Sequence, residues 1–220
     1  MTIVRRPSGS IVILQVLLIV AMASVAYSQV FLPLTGPGGL WSSPGRYAPS
    51  VDVTLDYRTV LKDPNTSPFR FPETSYLPPG DPPLEFLLPT RTHVTVYEPD
   101  LRQRVGLIGT TSLRGLLAIA VLLFLLLMVR TLRSGDPFVP ANARRMYAIA
   151  ATVGIGGPLA DLLGQWGRHG VLDNPKVAPL IIRESYHLSL MPLAIGVAIA
   201  VAAEVFRQGI SLRADVEGLV

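Results

Sequence analysis

Residues 115–129 read GLLAIAVLLFLLLMV, fifteen positions without a charge, and Arg114 and Arg130 close the run at its two ends. No soluble domain needs so long an apolar stretch on a single element, whereas a helix crossing a bilayer needs roughly 20 predominantly apolar residues. With its flanks, the run reads as a span from Gly109 to Val129. Three further segments share this character: Ile11 to Phe31, Met146 to about Gln165, and about Leu188 to Phe206. The chain is 50% hydrophobic and only 15% charged, against about 25% charged in an ordinary soluble domain. These observations predict an all-α membrane protein with four transmembrane helices.

The first segment follows Arg5 and Arg6 and has small residues at Ala21 to Ala23 and Ser24 to Ala26, a pattern shared with cleavable signal peptides. Its apolar run continues past both places to Leu34, which favours an uncleaved anchor. Between Pro33 and Pro99 lie thirteen of the chain's 20 prolines. Proline removes a backbone donor and breaks helices, so no long helix is expected there. Val51, Val53, Leu55 and Tyr57 alternate with polar residues, as do Thr92, Val94 and Val96 with their neighbours. This is strand periodicity, and it predicts one antiparallel pair within a Pro-rich insertion. The expected organisation is 1–34 for the tail and first span, 35–108 for the insertion, and 109–220 for three further helices with a tail.

Orientation follows from the arginines. Arg130, Arg133, Arg144 and Arg145 crowd one short connection, and Arg5, Arg6, Arg207 and Arg213 flank the termini. Short basic loops stay in the cytoplasm, while long translocated loops are nearly exempt from that rule. The expectation is a multi-pass protein of the bacterial cell (inner) membrane with both termini cytoplasmic and the insertion outside. The formal charge of +4 is spread over helix ends and not gathered into a patch, so nucleic acid is not an expected partner. Absence of cysteine excludes disulfides, thiolate metal sites and cysteine nucleophiles.

The candidate residues are few. Gly154-Ile155-Gly156-Gly157-Pro158 puts a proline and close-approach glycines inside the third span, and Asp161 follows them. Such a break lines a site in transporters, which use paired broken segments; with a single one, a kinked packing helix is the better account. Asp161 lies near the outer end of its span, at the depth of Arg114, and a structural ion pair is expected. Glu204 near the inner end is expected to pair with Arg207 or with the basic connection. Ala194, Ala198 and Ala202 make a small-residue stripe suited to a bundle or dimer face. His93, His169 and His187 have no metal-ligand spacing and read as solvated loop residues. Trp41, Trp166, Tyr27, Tyr147 and Tyr186 fall near helix ends as interfacial anchors. No catalytic, cofactor-binding or metal-binding pattern is present.

The connection 135–145, GDPFVPANARR, and the ending 204–220, EVFRQGISLRADVEGLV, resemble a bacterial membrane family known as domain of unknown function 2975. That family has a G-x-P-F-x-x-x-N-x-x-R loop, matched here by Gly135, Pro137, Phe138, Asn142 and Arg145. Its chains end in F-x-x-G-x-x-L-R-x-D/E, matched by Phe206, Gly209, Leu212, Arg213 and Asp215. The resemblance covers about residues 112–220 and implies four helices but no reaction. Both motifs fall at the cytoplasmic end, where they are expected to fold together or to form a docking surface, with Arg144 and Arg145 facing Asp215 and Glu217. The expected function is a non-catalytic accessory or interaction subunit, held in the lipid bilayer with a membrane-protein partner or a second copy. The alternative is a small transporter, channel or sensor built on Gly154 to Asp161.

Overall fold

A computed structural model of the chain describes residues 9–36, 39–40, 50–54, 91–95, 100–133, 138–173, 178 and 186–217. Four long helices account for most of them: α1 Gly9–Thr35, α2 Leu101–Leu132 with one further residue at Arg133, α3 Pro140–Leu172, and α4, which runs Met191–Glu217. All four are long and apolar enough to cross a membrane. Strands β1 Ser50–Thr54 and β2 Arg91–Thr95 pair antiparallel, with Val51 opposite Val94 and Val53 opposite Thr92. Leu55, Tyr57 and Val96 of the expected strands, most of the insertion, and the Gly135 to Pro137 start of the loop motif lie outside the described residues.

Apolar side chains point outward. Val12, Leu17 and Val20 on α1 and Leu193, Val197 and Val201 on α4 are exposed, which water would penalise and lipid does not. Ile108, Leu126, Val129 and Ile149 are buried between the helices, and beside them the closest contacts are made by small residues. Ala160 and Ala203 are completely buried, and Ala143 and Ala150 nearly so. The helices stand in a row: α1 packs on α2, α2 on α3, and α3 on α4. Among the described residues, α1 and α4 share no packed face.

α3 works as a relay within this row. Its first half, Pro140–Gly154, packs mainly on α4, and its second half, Gly156–Leu172, mainly on α2. The switch occurs at Ile155, where φ and ψ are −103° and −47°. Pro158 has no N–H to return to Gly154, so the helical ladder lacks a rung there. Each glycine of the break meets a neighbour. A Cβ on Gly156 would lie 2.6 Å from Leu117 Cδ2, one on Gly157 would lie 2.8 Å from Pro192 Cβ, and one on Gly154 would lie 3.3 Å from Gly196 Cα. The kink is therefore a packing junction that hands α3 from one partner to the other. A second backbone contact joins α2 to α3 farther along, where a Cβ on either Gly106 or Gly167 would overlap the other's backbone.

Several expectations need correction. α2 begins at Leu101, not Gly109, so the expected boundary at 108/109 cuts a continuous helix. Asp100 caps its start: Gln103 N–H donates to Asp100 Oδ1 at 2.7 Å and Asp100 N–H to Gln103 Oε1 at 3.0 Å, a reciprocal capping box. α3 likewise continues to Leu172, which puts His169 on a helix and not in a loop. At 33 residues, α2 is about 50 Å long against about 30 Å of hydrocarbon. Of the two faces expected for the stripe Ala194, Ala198 and Ala202, the bundle face is excluded because the stripe is exposed; the face turned to α3 carries Pro192, Gly196 and Ala203.

α1 widens into a π-helical turn at Ala26–Phe31, with Leu32 N–H reaching back to Tyr27 O. The widening sits just ahead of Pro33, whose ring would otherwise strike the carbonyl four residues earlier. The sheet sits on the ends of α2 and α3 remote from their connection. Val51 and Val53 are buried there with Val171 and Leu172, and Leu107 packs against the cluster.

Candidate functional site

Polar side chains converge at that same end, between α2 and the second half of α3. An open cavity of about 390 Å³ is lined there by Thr110, Thr111 and Arg114 from α2, by Asp161, Gln165, Arg168 and His169 from α3, and by His187. Its apolar lining is Leu107 and Leu172, which belong to the sheet-covered cluster below. Gly106 and Gly164 also line it, and the Gly106–Gly167 contact fixes how closely the two helices approach beneath the opening.

Arg114 and Asp161 meet across it. Arg114 Nη2 donates to Asp161 Oδ1 at 2.5 Å, and the Arg114 side chain is 59% exposed against 23% for that of Asp161. The arginine is the more exposed partner. Screening by solvent keeps such a pair weak as a source of stability. It sets position and charge more than it holds helices together.

One wall of the cavity comes from the stretch just before α4. Gln165 grips it by both amide atoms: Nε2 donates to His187 O at 2.6 Å, and His187 N–H donates to Oε1 at 2.9 Å. The side chain acts as one rung of a sheet ladder. Next to it, the rings of His169 and Tyr186 stack at 4.0 Å with 12° between planes, and His169 Nδ1 lies 3.0 Å from Gln165 O. Both histidines were expected in solvated loops, and Tyr186 as an interfacial anchor. The two histidines line the cavity instead, and Tyr186, which is exposed, stacks on His169.

The opposite end of the bundle holds the loop motif. Asn142 is 2% exposed. Its Nδ2 donates to Thr131 Oγ1 at 2.7 Å, and Thr131 Oγ1 donates to Met128 O at 2.7 Å. Arg145 Nη1 donates to Asn142 Oδ1 at 2.7 Å and to Leu127 O at 3.0 Å. These bonds lock the last turns of α2 to the first turn of α3, which gives the N-x-x-R spacing a structural reason. Arg145 is therefore turned to α2 and not to Asp215 or Glu217, and Arg144 is exposed. The two family motifs do meet, but through rings: Phe138 and Phe206 stack at 5.3 Å.

Glu204 lies near this end. Arg207 Nη2 donates to its Oε1 at 2.6 Å and Arg207 Nε to its Oε2 at 2.8 Å, while Tyr147 Oη donates from α3 to Oε2 at 2.6 Å. The carboxylate is saturated by donors and joins α3 to α4. Sequence reasoning gave Tyr147 only an anchoring role; a hydroxyl 57 residues away in sequence leaves no local signal.

Among the described residues, no group of three or more His, Asp or Glu side chains is placed to hold a metal ion. The cavity offers hydrogen-bonding groups and charged side chains.

No curated protein and no solved structure matches the chain. The model of the family described as "Protein of unknown function (DUF2975)" matches residues 66–220. The match begins within the insertion and takes in β2, α2, α3 and α4, so it reaches farther toward the N-terminus than the loop and C-terminal motifs do. Spanning more than two-thirds of the sequence, it makes this chain a member of the DUF2975 family.

Proposed function

We propose that the protein is a non-catalytic, multi-pass protein of the bacterial cell membrane that binds a small polar ligand outside the cell and passes the binding event inward through α4. The observation that carries this reading is the position of His187. It lines the cavity, it is tied to α3 by Gln165, and it stands four residues before the first residue of α4. A ligand that shifts this wall shifts the start of a helix 27 residues long. The basic connection and the arginines near both termini support a cytoplasmic α2–α3 loop, which puts the cavity and the sheet outside.

Ser211, Leu212 and Asp215, exposed near the end of α4, then offer a surface to a partner protein, and the accessory role becomes the output side of a sensor. The transporter reading loses ground because the glycines and proline of the α3 break are occupied by Leu117, Pro192 and Gly196.

The test uses the absence of cysteine. Asp173→Cys should react with a membrane-impermeant maleimide in intact cells, and Asp215→Cys only after permeabilisation. Adding Gln165→Ala should change the Asp215→Cys labelling rate in permeabilised cells. Reversed accessibility, or a tail indifferent to Gln165→Ala, overturns the reading.

A further inference from the structure

We propose that Arg102, laid against Trp166, holds the phosphate of a phospholipid in the leaflet on the side of the β1–β2 pair, with an acyl chain along Leu162, Leu159 and Ile155. The site lies apart from the cavity and holds whether or not the cavity takes a ligand.

Helical spacing separates the two. Ile155, Leu159, Leu162 and Trp166 are four, three and four residues apart, so they share one flank of α3. All four are exposed. Asp161, Gln165 and Arg168, which line the cavity, recur at the same spacing on the other side of Gly167, the residue that touches α2.

Arg102 at the outer end sets this stripe apart from an ordinary lipid-facing flank. Gln103 Nε2 donates to Gly170 O at 2.9 Å and pins the first turn of α2 to α3. The Arg102 stem passes Gly170, where an added Cβ would lie 3.3 Å from both Cδ and Nε. The guanidinium carbon lies 5.3 Å from the centre of the Trp166 ring, and cation–π attraction holds it there. Nε is buried without a hydrogen-bond partner, and among the described residues no carboxylate pairs with Arg102. Asp100, two residues away, has its Oδ1 on the Gln103 N–H. A cation in a first helical turn also meets the positive end of the helix dipole, so this guanidinium is short of counter-charge. With Nε shut in, the contact falls to Nη1 and Nη2, a planar fork that matches two oxygens of one phosphate.

Depth selects the source of the phosphate. About 30 Å of hydrocarbon, counted along α2 from Arg130, ends near Thr110. Gly106 and Gly167 touch, so Trp166 lies near the level of Gly106, about 6 Å farther out. Headgroups occupy that layer, adding about 10–15 Å to the bilayer over its two sides. The three exposed aliphatic residues running inward from the ring fit an acyl chain and give a free anion nothing to contact.

Trp41→Phe leaves Trp166 as the single tryptophan. This full-length chain, in neutral detergent, would be titrated with phosphatidylglycerol whose acyl chains carry bromine, a contact quencher of indole fluorescence. Diacylglycerol with the same brominated chains is the control without phosphate. Phosphatidylglycerol should quench Trp166 at a mole fraction at least about tenfold lower than diacylglycerol does. Adding Arg102→Gln should remove that advantage. Arg102→Lys, which keeps the charge but not the fork, should retain only part of it, and Arg114→Gln at the cavity should leave it unchanged.

Equal quenching by the two lipids overturns the proposal, and this comparison on the parent chain stands even if Arg102→Gln fails to fold. So does an Arg102→Gln chain, as helical as the parent by circular dichroism, that keeps the preference for phosphatidylglycerol. Quenching that inorganic phosphate abolishes, and sodium chloride of equal ionic strength does not, would assign Arg102 to a free anion and overturn the lipid site.

Discussion

Gly196→Ala adds one methyl group where α4 meets α3, and the structure states what that methyl would strike. Its Cβ would lie 2.6 Å from Gly154 Cα, 2.8 Å from Ala150 O and 2.9 Å from Gly154 N. All three are backbone atoms, so no side chain can rotate out of the way. Ordinary carbon contacts begin at about 3.5 Å, so the helices must part by about 1 Å or bend. Overpacking of this kind costs about 1–3 kcal/mol. At roughly 2–4 °C per kcal/mol for a chain of this length, the midpoint should fall by several degrees. The control is Gly209→Ala on the same helix, where nothing lies within 4 Å of the new Cβ. Alanine is the better helix former there by about 0.5–1 kcal/mol, so that variant should hold or gain stability. Thermal unfolding of both in one detergent, followed by intrinsic fluorescence, decides the matter. A Gly196→Ala midpoint equal to or above that of Gly209→Ala would refute the close packing of α3 on α4.

Asn142→Ala should cost about 1–3 kcal/mol, because Thr131 and Arg145 lose a buried partner; chemical denaturation monitored by circular dichroism reads it. Asp100→Ala removes one side of the capping box at the start of α2 and should cost about 1 kcal/mol, with hydrogen exchange rising first at residues 101–104. Tyr147→Phe takes one donor from Glu204 but leaves Arg207 and Gln208 in place. Its midpoint should therefore fall less than that of Glu204→Leu, which strands all three; equal losses would mean the carboxylate does not organise this end.

The four helices were legible because bilayer-facing residues must be apolar over a fixed length, and that length survives in the sequence without any knowledge of neighbours. Arg114 and Asp161 were legible for the same reason, as charges at matching depth at the edges of apolar segments. The first turns of α2 were harder to read, since Arg102, Gln103 and Arg104 interrupt the apolar pattern while the helix continues. The Asp100 and Gln103 spacing was a usable signal that periodicity overrode. Gly106 and Gly167 are separated by a whole hairpin, and no local pattern says that two glycines will touch. The Gln165 grip on His187 was hidden likewise, because an amide bonding a distant backbone carries no sequence signature.

The lock at Thr131, Asn142 and Arg145 bears on the order in which the protein is made. Its side chains come from a window of fifteen residues, and its carbonyl acceptors from the turn just before. The α2–α3 hairpin can therefore latch while α4 is still inside the ribosome. Until then, the second half of α3 has α2 to pack on, but the first half has an uncovered flank where Gly196 will later sit. Each newly synthesised chain passes through a moment when Ala150 and Gly154 line an empty slot open to lipid, and α4, the next helix to emerge, fills it.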